Sequence, residues 1–201
     1  MLPQNNLVIY GNEDMFVTLK RSLKKIMKPS ITPTQVEHTM TADDFIVSKT
    51  DLKGRIIYAN RIFLRIGQYP LDTLLNVQHN IVRHPDMPRG VYKLLWETLK
   101  KGDEFFGFVK NMCANGDYYW VFANVTPDFN VSGQPQGYYS VRRKPSDNAL
   151  AAIKPIYKEM LSIEKRSGAK EGPEKSIAYL NQVLDEKSIS YQDYALSLFK
   201  N

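Results

Sequence analysis

The stretch FFGFVKNMCANGDYYWVFANVTP, residues 105–127, leaves a folding chain few options. Two runs of aromatic and β-branched residues flank Asn115 and Gly116, which tolerate the positive φ angles that a tight primed turn requires. The pattern predicts an antiparallel hairpin. If Asn111 points inward, the strand period of two puts Val109, Gly107 and Phe105 on the same face. Across the turn, Tyr119, Val121, Ala123 and Val125 share one face, and Tyr118, Trp120, Phe122 and Asn124 share the other. An inward amide needs a partner, and a glycine beside it leaves room for close approach. Such a face suits a flat heteroaromatic ligand: apolar walls, space, and one directional group.

Around the hairpin, DFIVSKTD and KGRIIYAN read as two strands joined by a turn at Lys53 and Gly54. NRIFLRIG reads as a helix ending on Gly67 as its cap, and PLDTLL as a further helical turn. MPRGVYKLLWETLKKG predicts a longer helix with Val91, Leu94, Leu95 and Leu99 on one stripe. A last strand, QGYYSVRRK, follows a turn at SGQP. Two strands, short helices and three antiparallel strands in that order build an α+β domain with one sheet face covered by helices.

The chain divides by texture into residues 1–38, 39–144 and 145–201. The first part predicts an amphipathic helix, with Met15, Phe16, Leu19, Leu23, Ile26 and Met27 opposite a basic face, then a linker in PSITPTQ. The last part reads as helical throughout. Ser146 is the expected N-cap of a helix kinked at Pro155, and GAKEGP separates it from a second helix carrying Ile177, Leu180, Val183 and Leu184. A third helix, SYQDYALSLFK, is expected to bury Tyr194, Leu198 and Phe199.

With 201 residues, 43% hydrophobic and 24% charged, the chain supports one main domain with extensions. It shows no basic leader followed by an apolar stretch and no run of about 18 apolar residues, so a cytoplasmic protein without a membrane span is expected. A single cysteine, Cys113, excludes an internal disulfide and a cysteine-based metal site. The net charge of +6 is spread along the chain and is densest over residues 18–28. That basic helix leaves a nucleic-acid-binding regulator as one alternative.

The segment HNIVRHPDMPRGVYKLLW, residues 79–96, concentrates imidazole and charge ahead of the longer helix. His79 and His84 are five apart with Pro85 directly following, a poor spacing for metal ligation, and only Asp86 stands near as a third ligand. His84 and Asp86 lack a placed nucleophile or second carboxylate for acid–base catalysis, so no enzyme is expected. Either histidine could serve a heme iron. Arg83 and His84 make better physical sense beside a phosphorylated tail, because a guanidinium binds phosphate oxygens as a fork and keeps its charge. Asp86 is expected to cap the following helix and hold Arg83.

Taken together, SKTDLKGRIIYAN, RHPDMP, FVKNMCANGDYYWVFANVTP and GYYSVRRKP resemble the PAS domains of bacterial aerotaxis receptors over about residues 44–144. The resemblance implies a PAS fold, a five-stranded antiparallel sheet with helices on one face. It also implies a pocket holding non-covalent FAD, ahead of FMN or heme. Arg83, His84 and Asp86 stand where that family places residues needed for flavin binding, and Asn60 and Asn111 match positions near the isoalloxazine. Tyr119, Trp96 and His79 complete the expected cofactor set. Phe105 departs from the type, which usually has tryptophan there, and the change removes an indole N–H donor. Blue-light adduct chemistry needs a cysteine on the helix beside the ring, and HNIVRHPDMP has none. The function implied is a redox or oxygen sensor that acts by population shift, as a homodimer, and signals in trans to a protein partner. A PAS interaction module without cofactor is the other alternative.

Overall fold

In a computed structural model, which describes residues 31–200, five strands form one antiparallel sheet in the order β2-β1-β5-β4-β3. They are β1 (Ile46–Asp51), β2 (Ile56–Ala59), β3 (Phe105–Met112), β4 (Tyr118–Phe129) and β5 (Pro135–Arg143). Between β2 and β3 lie α1 (Arg61–Gly67), α2 (Leu71–Leu74), a 3-10 turn (His79–Val82) and α3 (Arg89–Lys100). After β5 come α4 (Asp147–Asp185) and α5 (Tyr191–Lys200). The helix expected around residues 15–28 lies outside the described residues.

The hairpin forms in the register that its alternation predicts, with Val109 opposite Val121 and Asn111 opposite Tyr119. Its turn is not the two-residue primed type. Cys113 N donates to Asp117 O at 2.7 Å, and of the loop residues between them only Gly116 takes a positive φ, 96°. Asn115 instead uses its side chain, accepting from Asp117 N at 3.0 Å and donating to Asp117 Oδ2 at 2.7 Å. A side chain that satisfies the turn from outside removes the need for a left-handed backbone there.

Two helix ends also differ from expectation. Gly67 stays helical and buried, and the left-handed residue is Gln68, at φ 58°. Pro155 sits within regular helix, whereas α4 breaks at Gly168 (φ 74°, ψ −176°), a conformation open to a residue without Cβ. The GAKEGP segment is therefore helical on both sides of one glycine, which divides α4 into arms 147–167 and 169–185. Ser146 caps the helix as expected, accepting from Ala149 N at 3.1 Å.

Helices α1 to α3 and the 3-10 turn lie on the inner sheet face. The first arm of α4 covers the outer face of β3 and β4, and α5 wraps the β3 edge, with Tyr191 against Phe105 on one side and Phe199 against Phe122 on the other. There Phe199 stacks on Phe122 with ring centroids 4.2 Å apart, and Tyr157 lies 6.4 Å from Trp120. Both sheet edges are occupied. Ile56 on β2 exchanges backbone hydrogen bonds with Val77 and Asn76, at 2.9 and 2.8 Å. On β3, Arg83 bridges Asn111 and the Tyr157 hydroxyl donates to Phe108 O at 3.0 Å.

Part of the expected linker is also tied down. His38 N donates to Tyr118 O at 2.7 Å and Tyr118 N to Val36 O at 3.0 Å, so these residues run beside the start of β4. The buried Asp117 carboxylate fastens them, bonded to Thr34 Oγ1 and to His38 Nε2 at 2.8 Å. Hydrogen bonds from Thr34, His38 and Asn115 hold its pKa below the usual carboxylate range. Asp117→Ala is expected to destabilise the fold, because it removes the acceptor shared by Thr34, His38 and Asn115. The urea midpoint measures it, and proteolysis of residues 32–38 should accelerate in parallel.

Candidate functional site

Between the inner sheet face and α3 lies a cavity of about 220 Å³. The sheet contributes Val109, Asn111, Ala123, Val125, Ser140 and Arg142, among others. From α3 come Tyr92, Leu95, Trp96 and Leu99, and from the segment before it His79, Val82 and Arg83. Trp96 is the most exposed large apolar side chain in this lining, and its ring packs edge-on to Tyr138, with centroids 5.4 Å apart. The cavity exceeds the ~150 Å³ that accepts a benzene-sized guest elsewhere.

The dominant polar group was not among the residues expected from sequence. Arg142 is 5% exposed and makes no ion pair among the described residues. Its Nη2 donates to His79 Nε2 at 2.7 Å and to Ser48 Oγ at 3.2 Å, while Nη1 is buried without a partner. Since His79 Nε2 accepts, the ring is neutral and carries its proton on Nδ1. Burial and the Arg142 charge together push the His79 pKa well down. The lone pair that an iron would need is thus already engaged. Phe63 stacks on the same ring, 5.9 Å between centroids.

Two further buried polar atoms at this cavity lack partners, Asn111 Nδ2 and Ser140 Oγ. A buried donor left unpaired costs about 1–3 kcal/mol, so three such groups around one space mark a surface prepared for something polar. A second guanidinium joins them. Arg83 lies over the Tyr92 ring at 4.2 Å, reaches Met87 O at 3.4 Å, and has no carboxylate partner among the described residues. Two arginines without acids, facing one apolar-walled cavity, suit a ligand that is planar and negatively charged in part.

The expected site residues separate into two groups. His79, Arg83, Trp96 and Asn111 line the cavity. His84, Asp86, Asn60, Phe105 and Tyr119 do not. Because the backbone at Arg83 bridges the edge strand at Asn111, the chain crosses that edge and carries the next residues away from the cavity. His84, 2% exposed, packs edge-on to Tyr118, 5.8 Å between centroids. Asp86 accepts from Lys110 Nζ at 2.8 Å, and α3 has no side-chain cap of its own at Pro88, so Asp86 neither caps α3 nor pairs with Arg83.

Asn60 is the N-cap of α1. Its Oδ1 accepts from Phe63 N at 3.0 Å and Val47 N at 3.1 Å, and its Nδ2 donates to Phe45 O at 2.7 Å, so the amide is spent on structure. Phe105 stacks on Tyr191 of α5, 5.8 Å between centroids. Tyr119 is fully buried on the inner face with its hydroxyl unpartnered, and burial pushes its pKa up. Cys113 is buried too and donates to Ile66 O at 3.2 Å; desolvation pushes its thiol up to about 12, which leaves it inert near neutral pH.

This architecture is that of a PAS domain, and residues 56–142 match the family model of the PAS fold. Within that fold, the sequence stands beside the aerotaxis receptors, to which it is similar. The chain is 42% identical over 127 residues to the aerotaxis receptor of Escherichia coli (strain K12), an alignment covering 63% of this chain and 25% of the receptor. It is also 32% identical over 115 residues to the nitrogen fixation regulatory protein of Klebsiella oxytoca, covering 57% of this chain and 22% of that one. The chain therefore spans about a quarter of the length of these curated relatives. Among solved structures, a light-oxygen-voltage domain studied with a flavin analogue superposes with a TM-score of 0.50 at 17% identity, over 73% of this chain and 98% of that one, a likeness of fold. Among the described residues, no helix is long and apolar enough to cross a membrane.

Proposed function

We propose that this chain is a flavin-binding sensor of redox state or oxygen, with FAD as its cofactor. The observation that carries the reading is the set of unpartnered buried groups at the cavity, Arg142 Nη1, Asn111 Nδ2 and Ser140 Oγ, beside apolar walls. An isoalloxazine carries a polar edge of carbonyl and imine acceptors and two apolar faces, which answers that chemistry. Val109, Ala123, Val125, Leu95 and Leu99 would hold the faces, Asn111, Ser140 and Arg142 the polar edge. Arg83 would bind the phosphorylated tail.

Bound there, the flavin would supply a reversible change of charge and protonation between its oxidised and reduced forms. The protein's part is to respond. Arg142 stands ready to meet added negative charge without first giving up a carboxylate. His79, neutral and tied to Arg142 Nη2, keeps that guanidinium aimed while adding no charge of its own. Asn111 belongs to the edge strand, so a rotation of its amide would be felt at the Arg83 bridge. A switch of this kind works by population shift and needs a few kcal/mol of differential interaction. Output in trans to a protein partner, from a homodimer in the cytoplasm, completes the reading.

The gentlest test is an absorption spectrum of freshly purified protein. Twin flavin bands, and release of FAD on acid precipitation identified by chromatography, are the expected result. A Soret band would replace the reading with heme, and a colourless protein that takes up no added FAD would leave a cofactor-free interaction module.

A further inference from the structure

Helix α3 supplies one whole wall of the cavity, yet its N-terminus has no cap from its own sequence, Pro88 offering no side-chain acceptor. An uncapped helix leaves its first N–H groups unsatisfied. Here a carboxylate from far along the chain takes them. Glu164, in the first arm of α4, accepts from Arg89 N at 2.9 Å and from Gly90 N at 2.8 Å, one oxygen to each. A negative charge at that end of a helix is also favoured by the peptide dipoles.

The same carboxylate is bound from the other arm. Ser176 Oγ donates to Glu164 Oε1 at 2.9 Å, and the Arg89 guanidinium reaches Ala169 O just past the break at Gly168. The fit is tight. A β-carbon on Gly90 would collide with Ser176 Oγ and lie 3.1 Å from Pro173 O, and one on Gly172 would lie 3.0 Å from Glu164 Cα. Lys93 of α3 adds an ion pair with Glu174 at 3.1 Å. Around Gly168, by contrast, there is open space. Three elements therefore meet on one side chain: the cavity wall, the first arm and the second arm.

We propose that Glu164 is a positioning residue that makes α3 and the second arm of α4 one mechanical unit, so that filling the cavity and docking the C-terminal helices are a single coupled equilibrium hinged at Gly168. The ligand half of this proposal rests on the flavin reading; the coupling of α3 to the arm does not. Coupling of this kind is reciprocal: whatever the cavity ligand does to the arm, the arm does to the ligand's affinity. It also names the segment whose exposure would report occupancy to a partner, residues 169–185.

Hydrogen exchange read by mass spectrometry on the full chain, with FAD as the probe, tests both ends. In the flavin-free protein Glu164→Ala is expected to speed exchange across residues 169–185 by about tenfold, with Glu164→Gln, which keeps an acceptor, between it and wild type. With FAD loaded, wild type should gain protection over the same residues, and the alanine variant should release FAD on the order of tenfold faster by recovery of flavin fluorescence. Unchanged exchange over 169–185 in Glu164→Ala would overturn the proposal, as would an unchanged release rate from a chain that binds FAD. If wild type takes up no FAD, the flavin reading falls and the exchange comparison still decides the coupling. Should the alanine variant not fold, Glu164→Gln against wild type carries both comparisons, with changes of about threefold expected.

Discussion

Arg142→Met is expected to lose flavin and gain stability at once. A hydrogen bond to a charged group is worth about 1.5–3 kcal/mol, so removing the guanidinium should weaken FAD about 10- to 100-fold, measured by titration followed through flavin fluorescence. The empty protein should respond in the opposite direction. Arg142 is 5% exposed, has no acid beside it, and keeps Nη1 unpaired, and burial lowers its pKa because the charge is poorly compensated. Removing a buried charge that has no counter-ion relieves its desolvation cost, which outweighs the two hydrogen bonds lost to His79 and Ser48. A rise in the melting temperature of the flavin-free variant, together with loss of binding, would identify a residue kept for its ligand at the expense of the fold. A variant that unfolds would show instead that Arg142 holds the sheet to His79.

The second large effect is a loss of stability on mild acidification. His84 is 2% exposed; burial first and the Lys110 charge second lower its pKa from 6.5 to about 4. Its Nδ1 accepts from Asp86 N at 3.1 Å, so the neutral ring carries its proton on Nε2. The unfolded chain therefore takes up a proton at this residue before the folded one does. Stability should fall as pH drops from about 6.5 to about 4, by roughly 3 kcal/mol from this one group. His79 is shifted in the same direction and adds to the slope. Below that window the carboxylates with lowered pKa, Asp44, Asp86 and Asp117, continue the loss. Urea midpoints of the flavin-free protein at pH 7 and 4.5 measure the effect. In His84→Gln the difference between the two midpoints should shrink, whatever the variant does to absolute stability; an undiminished difference would assign the acid sensitivity elsewhere.

Strand alternation carried most of the fold into view. Residues 105–125 show their two faces plainly, because the period of two matches one face that is aromatic and one that mixes small, apolar and amide groups. The cavity wall of Val109, Asn111, Ala123 and Val125 follows from that pattern alone. What stayed hidden is instructive. Arg142 sits in SVRRK among basic neighbours, where a charge reads as solvent-facing; only the parity it shares with Tyr138 and Ser140 marks it as inward. His84 and Asp86 looked like partners of Arg83 through adjacency, but the backbone crosses the β3 edge between them. Adjacency in sequence turns into opposite sides of a strand. Glu164 could not have been found from local pattern, since the helix end it caps is 74 and 75 residues away.

The closed margins of the sheet govern how copies of this protein can meet. With Val77 and Asn76 bonded to Ile56 on one flank and Arg83 and Tyr157 meeting Asn111 and Phe108 on the other, each outermost strand is partly capped against extension by another chain. Polymerisation by strand addition is thereby disfavoured, as unprotected borders of antiparallel sheets invite it. Contacts between copies are thereby steered toward side chains, where specificity is tunable residue by residue.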